Sequence, residues 1–246
     1  MRRIERRMTG GCLFLLALLI VIGGSAVAVF WYTVWKTDNI TDRNRTAAET
    51  EHRDQIDRAA RDATRALRAS GTTDPAVLTA LIGKHTEAPV ITYDATRKKF
   101  TAEVEMSAFY DTAGLLGAGV EQIVSCEVFT YTPGTGRTWR VDVTTRATTA
   151  CRPGKEIGEL ARRATEVLDE PNGDPTTVAE AQRVLDRARY PGRLTVRKVT
   201  HDERTTTVSA LLADTTGTTD QCYLLTLPRP GNQARGRSAA TPTNSC

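Results

Sequence analysis

The residues of this 246-residue chain best placed to form bonds are its cysteines, at positions 12, 126, 151, 222 and 246. Four cysteines allow three pairings. Cys126 and Cys151 lie 25 positions apart and Cys222 and Cys246 lie 24 apart, and similar residues surround each pair. That recurrence selects Cys126 with Cys151 and Cys222 with Cys246. No Cys-x-x-Cys spacing is present, which argues against a structural zinc site. In the chain-entropy model each bridge, closing about 25 residues, is worth about 3 kcal/mol. Disulfides persist outside the cytoplasm, so the pattern is also an address. Cys12 stands in an apolar run and reads as a small buried residue of a membrane helix.

The remaining candidates for chemistry give less. His52 shares a helical stretch with Glu49 and Asp54 and reads as part of a solvated polar face. His85 follows a short helix, where an imidazole can meet the dipole, and His201 falls in a turn with Asp202 and Glu203. No Gly-x-Ser-x-Gly elbow, His-Glu-x-x-His, phosphate-binding glycine loop or calcium loop occurs. Glu103 and Glu105 share one face of a strand, whereas a glycosidase would need its carboxylates converging in a cleft. The expectation is a protein with no catalytic residue, no cofactor and no metal. Leu115 and Leu116, in the run Gly114 to Gly119, form the one unusual apolar loop. It suits either a contact with a partner or the membrane surface, or a buried connection between hairpins.

The elements that position these residues recur in order. A helical stretch with Ala63, Thr64 and Leu67 precedes Asp74-Pro75, strand-like Val90 to Tyr93 and Phe100 to Met106, then Cys126. The order returns as Ala164, Thr165 and Leu168, then Asp174-Pro175, Leu194 to Val196, Thr205 to Leu212 and Cys222. Thr46 to Glu49 has the form of a capping box, and Ile56, Ala60, Ala63 and Leu67 follow at helical spacing. Asp74 and Asp174 are expected N-caps, with Pro75 and Pro175 at the first helical positions. Alternation predicts strands over 89–93, 100–109, 123–131 and 138–143, and again over 194–200, 205–212 and 221–227. After Pro230 the chain is rich in Gly, Arg, Ala and Asn. The last strand of the second set is therefore expected to be missing or irregular, leaving an open sheet edge.

Thr9 to Trp35 is 27 residues without a charge. As a helix it runs about 40 Å, enough to cross a hydrocarbon core of about 30 Å. Phe30, Trp31, Tyr32 and Trp35 form an aromatic cluster at its far end, and Arg2, Arg3, Arg6 and Arg7 precede it, so the positive-inside tendency places the N-terminus in the cytoplasm. Cleavage after Ala28 is the competing reading, since Ser25 to Ala28 are small. The apolar run continues past that point, which favours an anchor. The first eight residues carry a net charge of +3, leaving 29 basic and 28 acidic groups beyond them. The near-neutral body gives no support to nucleic-acid binding.

The expected fold is α+β. A cytoplasmic tail (1–8), a transmembrane signal anchor (9–35) and a linker (36–45) precede two tandem repeats (46–151 and 154–246), each with helices followed by a small antiparallel meander. This order is similar to that of the cone-shaped nuclear-transport-factor-like (NTF2-like) fold and of other small helix-plus-meander folds, a likeness of architecture carried by no motif. The chain is expected to sit in a cell membrane by a single pass, its body extracytoplasmic, in contact with lipid through the N-terminal helix and with an envelope or membrane protein partner. The high Arg, Ala and Thr content suggests a bacterial source. The function this implies is a non-enzymatic scaffold or recruiting component of the bacterial cell envelope, of the kind found in secretion or conjugation assemblies. The alternatives are a ligand-binding or sensing ectodomain and an extracytoplasmic enzyme with a dispersed site.

Overall fold

The computed structural model describes residues 2–114, 117–136, 138–169, 175–187, 193–229 and 238–246, with side chains from Ala17 onward. The protein is α+β, with one long N-terminal apolar helix followed by further helices and two antiparallel four-stranded sheets. The chain forms two compact units, 1–51 with 108–123 and 52–107 with 124–246.

Helix α1 (Arg2–Ser70) is continuous over 69 residues, and from Ala17 it is long and apolar enough to cross a membrane. It corrects two expectations. Residues 36–45 are helical instead of forming a linker, and no helix begins at Thr46. Residues 36–53 contain neither Gly nor Pro, so nothing interrupts the hydrogen-bond ladder. An N-cap needs non-helical backbone; within α1 the Thr46 hydroxyl donates back to the Asp42 carbonyl (2.8 Å) and Glu49 pairs with Arg45 (3.0 Å).

Helix α2 (Pro75–Thr86) starts as its sequence predicts, the Asp74 carboxylate accepting from the Ala76 N–H at 2.9 Å with Pro75 leading the first turn. Strands β1 (Val90–Asp94), β2 (Lys99–Gly114), β3 (Gly117–Pro133) and β4 (Trp139–Arg146) form the first sheet in sequential order. Its core joins Ala60, Ala63 and Leu67 of α1 and Leu78 and Ile82 of α2 to Phe100, Ala102, Val104, Phe129 and Tyr131. Along β2 burial alternates as a half-buried strand requires, with Phe100, Ala102 and Val104 buried, whereas β3 buries four residues in a row, from Cys126 to Phe129.

A short 3-10 turn (Thr148–Cys151) leads into α3 (Arg152–Leu168) and then α4 (Val178–Arg187). Asp174 lies outside the described residues, and Pro175 precedes α4 by three positions. The cap is Thr177, whose hydroxyl accepts from the Glu180 N–H (3.2 Å), while the Glu180 carboxylate accepts from the N–H of Thr176 (2.9 Å). Strands β5 (Arg193–His201), β6 (Thr205–Ala213), β7 (Asp220–Pro228) and β8 (Ala239–Thr243) form the second sheet, again in sequential order. Ile157, Leu160, Ala164 and Leu168 of α3 and Ala181 and Leu185 of α4 cover Val196, Val208, Ala210, Leu212, Tyr223 and Leu225. Val90 of β1 belongs to this second core too. β8 corrects the expectation of a last strand that is missing or irregular. It pairs with β7 from Cys222↔Thr243 to Thr226↔Ala239 and packs against α2.

Candidate functional site

Both disulfides are present: Cys126–Cys151 and Cys222–Cys246, with Cα atoms 5.6 and 5.4 Å apart. The first joins β3 to the start of α3, and the second ties the last residue to β7 beside the short β8. The cysteines of such bridges do no chemistry beyond the crosslink while oxidised. Together with the apolar helix they describe a membrane-anchored domain suited to an oxidising compartment.

The histidines divide differently from the sequence reading. His52 is buried, only 6% exposed, and its Nε2 lies 2.7 Å from the Ser125 hydroxyl on β3. This overturns its assignment to a solvated face: a polar residue on the sheet-facing stripe of α1 meets a serine on the strand opposite. Its Nδ1 is buried without a hydrogen-bond partner. A hydrolytic triad needs a group on that nitrogen to orient the ring. His85 is half-buried in the last turn of α2. His201 ends β5, its Nδ1 3.0 Å from the Thr206 hydroxyl. Glu103 pairs with Arg146 (3.2 Å) and Glu105 with Lys155 (2.6 Å), an arrangement that fastens β4 and α3 to β2. The Glu105 carboxylate raises the Lys155 pKa through that hydrogen bond.

Glu127 is a carboxylate that sequence reasoning did not single out. Adjacent to Cys126 on β3, it is 2% exposed, and both of its oxygens accept from the Thr145 hydroxyl, at 3.1 and 3.0 Å. A Glu between two core-forming neighbours gave a signal in sequence, but alternation alone would have read it as a surface position.

A cleft of about 720 Å³ opens between α2, α3 and the β7–β8 pair. Gly158, Ala161, Arg162, Thr165, Glu166 and Asp169 are the α3 face that lines it, at helical spacing, and Glu87, Pro89, Tyr223 and Pro242 complete its walls. Arg162 is held by Glu166 at 2.5 Å, leaving Glu87 and Asp169 as further carboxylates at the rim. The Tyr223 hydroxyl donates to the Pro89 carbonyl (2.7 Å), and burial pushes its pKa up. No group of three or more His, Cys, Asp or Glu among the described residues is placed to hold a metal ion.

Leu115 and Leu116 lie outside the described residues. On either side of them, β2 continues to Gly114 and β3 begins at Gly117. Within the unit formed by 1–51 and 108–123, the Asn44 amide donates to the Asp111 carbonyl (2.8 Å), and the Thr41 hydroxyl accepts from the Ala113 N–H (3.0 Å). The Tyr110 hydroxyl bonds to the Glu121 carboxylate across the two strands, which raises the phenol pKa. Tyr110 and Glu121 therefore share one face, and by the two-residue period Phe109 and Val120 share the other. Both are exposed, at 66% and 68%.

Protein-family models, curated proteins and solved structures offer no match to this chain.

Proposed function

We propose that the protein is a non-enzymatic component of a bacterial cell envelope, held in the membrane by α1 with its N-terminus in the cytoplasm and its body outside, and that it recruits or holds protein partners in a secretion or conjugation assembly. We also propose that the halves carrying the two sheets are tandem copies of one ancestral unit. Both run from a helix through a shorter helix into a sequential four-stranded meander, with a disulfide reaching from the third strand to a point beyond the fourth.

The observation that carries the recruiting role is the Phe109–Val120 face of the β2–β3 hairpin. Large apolar side chains on a shared face, outside the apolar helix, are a surface that gains by being covered. The test places a photoreactive benzoylphenylalanine at Phe109 in intact cells and identifies what it captures. Membrane or envelope proteins of one assembly, lost when Val120→Asp is added, are the expected outcome. An absence of protein adducts at that position overturns the role.

The cleft beside α3 favours a second reading, a ligand-binding ectodomain. Its rim of Glu87, Glu166 and Asp169 against Arg162 suits a cationic ligand over an anionic one. Capture of a small basic molecule with the purified chain, sensitive to Asp169→Lys, would favour this reading over the first.

A further inference from the structure

Each four-stranded sheet ends in two edges, and an exposed edge is a row of N–H and C=O groups ready to pair with another strand. Three of the four are sealed. At β1 the Ile91 N–H donates to the Gln221 side chain (2.9 Å), and α2, α3, β7 and β8 crowd the strand. At β5 the Gln182 amide of α4 acts as a strand would, donating to the Leu194 carbonyl (3.1 Å) and accepting from the Val196 N–H (2.7 Å), and a bulge follows between Val196 and Lys198. β8 is five residues long, contains Pro242 and packs on α2.

The fourth edge, β4, has none of these devices. It is eight residues long without Pro or Lys, its register with β3 is unbroken from Cys126↔Arg146 to Pro133↔Trp139, and among the described residues no strand pairs its other side. Among the described residues one hydrogen bond from outside the sheet reaches its backbone, from Arg68 Nη2 to the Trp139 carbonyl at 3.3 Å.

We propose that this edge pairs antiparallel with β4 of a second copy of the chain, extending the first sheet across a two-fold axis at Val141. The charge pattern selects both partner and register. Arg140, Asp142, Thr144, Thr145 and Arg146 are the exposed positions along the strand; Arg146 pairs with Glu103, whereas among the described residues neither Arg140 nor Asp142 is in an ion pair. With Val141 opposite its own copy, Arg140 of each chain faces Asp142 of the other, twice over, and Trp139 faces Val143. A two-residue shift either way sets Arg140 on Arg140 or Asp142 on Asp142. Opposite charges directly across an antiparallel pair stabilise it and like charges oppose it, and a self-complementary patch is what a two-fold interface requires. The inference stands independently of the recruiting role.

The test uses the full-length chain in detergent micelles, with sedimentation equilibrium and co-capture of two differently tagged copies. Arg140→Asp and Asp142→Arg each place two like-charged pairs across the axis, and each is expected to weaken self-association by about tenfold or more. Mixing the two single variants restores pairing as a heterodimer, and the double swap restores the homodimer. Circular dichroism unchanged from wild type shows that folding is intact. Single variants that associate as tightly as wild type, whether through the membrane helix or another surface, overturn the proposal. So does a wild-type chain that stays monomeric, which would leave the edge to a foreign strand.

Discussion

The central hairpins of the two sheets differ in what stops them. In the second sheet β6 and β7 are nine residues each and end together at Ala213 and Asp220. Their core ends there too, with Leu212 the last buried apolar residue on β6. In the first sheet β2 and β3 are 16 and 17 residues long and continue past Ala108, where the buried core of that sheet ends. The extension has its own partners within its unit: Asn44 and Thr41 of α1 meet backbone groups of Asp111 and Ala113 that would otherwise form a bare edge. A strand therefore persists as far as something satisfies its backbone, and a helix carrying Asn and Thr serves where a core does not. The long helix and the long hairpin form one device, and the second half has no counterpart to it.

Core substitutions should break this comparison most severely. Phe129→Ala in the first sheet and Leu225→Ala in the second remove fully buried side chains and should cost about 3–5 and 2–5 kcal/mol respectively. The buried cores of both sheets lie in one compact unit, and Val90 of the first sheet contributes to the core of the second. Either change should therefore lower one shared urea transition followed by circular dichroism. Two separate transitions, each moved by one variant only, would show that the halves fold independently.

Paired Cys→Ser changes come next, at about 3 kcal/mol for each bridge on loop closure alone. Equal losses are expected, because the loops are 25 and 24 residues long. The consequences should differ in place. Removing Cys222–Cys246 should raise hydrogen exchange in β8, which pairs on one side only, while removing Cys126–Cys151 should raise it at the start of α3. Protection lost from the whole unit in both variants would mean that each bridge supports the fold globally.

The sequence was legible where local chemistry and long-range packing agreed. Asp74-Pro75 announced α2, alternation announced seven strands, and the spacing of four cysteines matched the bridges formed. It misled where a local signal met a stronger neighbour. Thr46 and Glu49 have capping-box identities, yet the helix was already running through them with no Gly or Pro to stop it. His52 looked solvated beside Glu49 and Asp54 because its partner, Ser125, is 73 positions away. β8 was illegible because Ala239 to Thr243 has little strand character of its own, and it is held by β7, α2 and a disulfide. The open edge of β4 could be recognised only after the other three edges were seen to be sealed.

A smaller effect tests those seals. Gln182→Ala strips the edge of β5 of both an acceptor and a donor, leaving the Val196 N–H and Leu194 carbonyl without them. A loss of about 1–3 kcal/mol is expected, the cost of leaving partly buried backbone groups unsatisfied. The same change should promote concentration-dependent association if the side chain also acts against strand pairing. Stability lost without any association would assign Gln182 to support of the fold alone.

The finest comparison concerns the turn that ends the β6–β7 hairpin, where a carboxylate takes the part that α1 plays in the first sheet. Asp214 is buried, and its side chain accepts from the hydroxyls of Thr216 (2.5 Å) and Thr218 (3.2 Å) and from the N–H of Thr219 (3.1 Å). The Thr216 hydroxyl foremost, with the Thr219 N–H and the Thr218 hydroxyl behind it, holds the Asp214 pKa down to about 2 from 3.8, against the opposing pull of burial. The folded turn thus binds this proton more weakly than the unfolded chain does. Its contribution to stability is complete above about pH 4 and is lost as pH falls through the window between 3.8 and about 2. Asp214→Asn removes the charge and keeps the shape, so the variant should unfold at lower urea than wild type at pH 6, with the difference closing towards pH 2. The Glu156 pKa is lowered by the Thr215 hydroxyl and N–H in the same turn, but Glu156 is present in both proteins and cancels in the difference. A gap that stays constant from pH 6 to pH 2 would show that hydrogen-bonding shape, and not carboxylate charge, closes this hairpin.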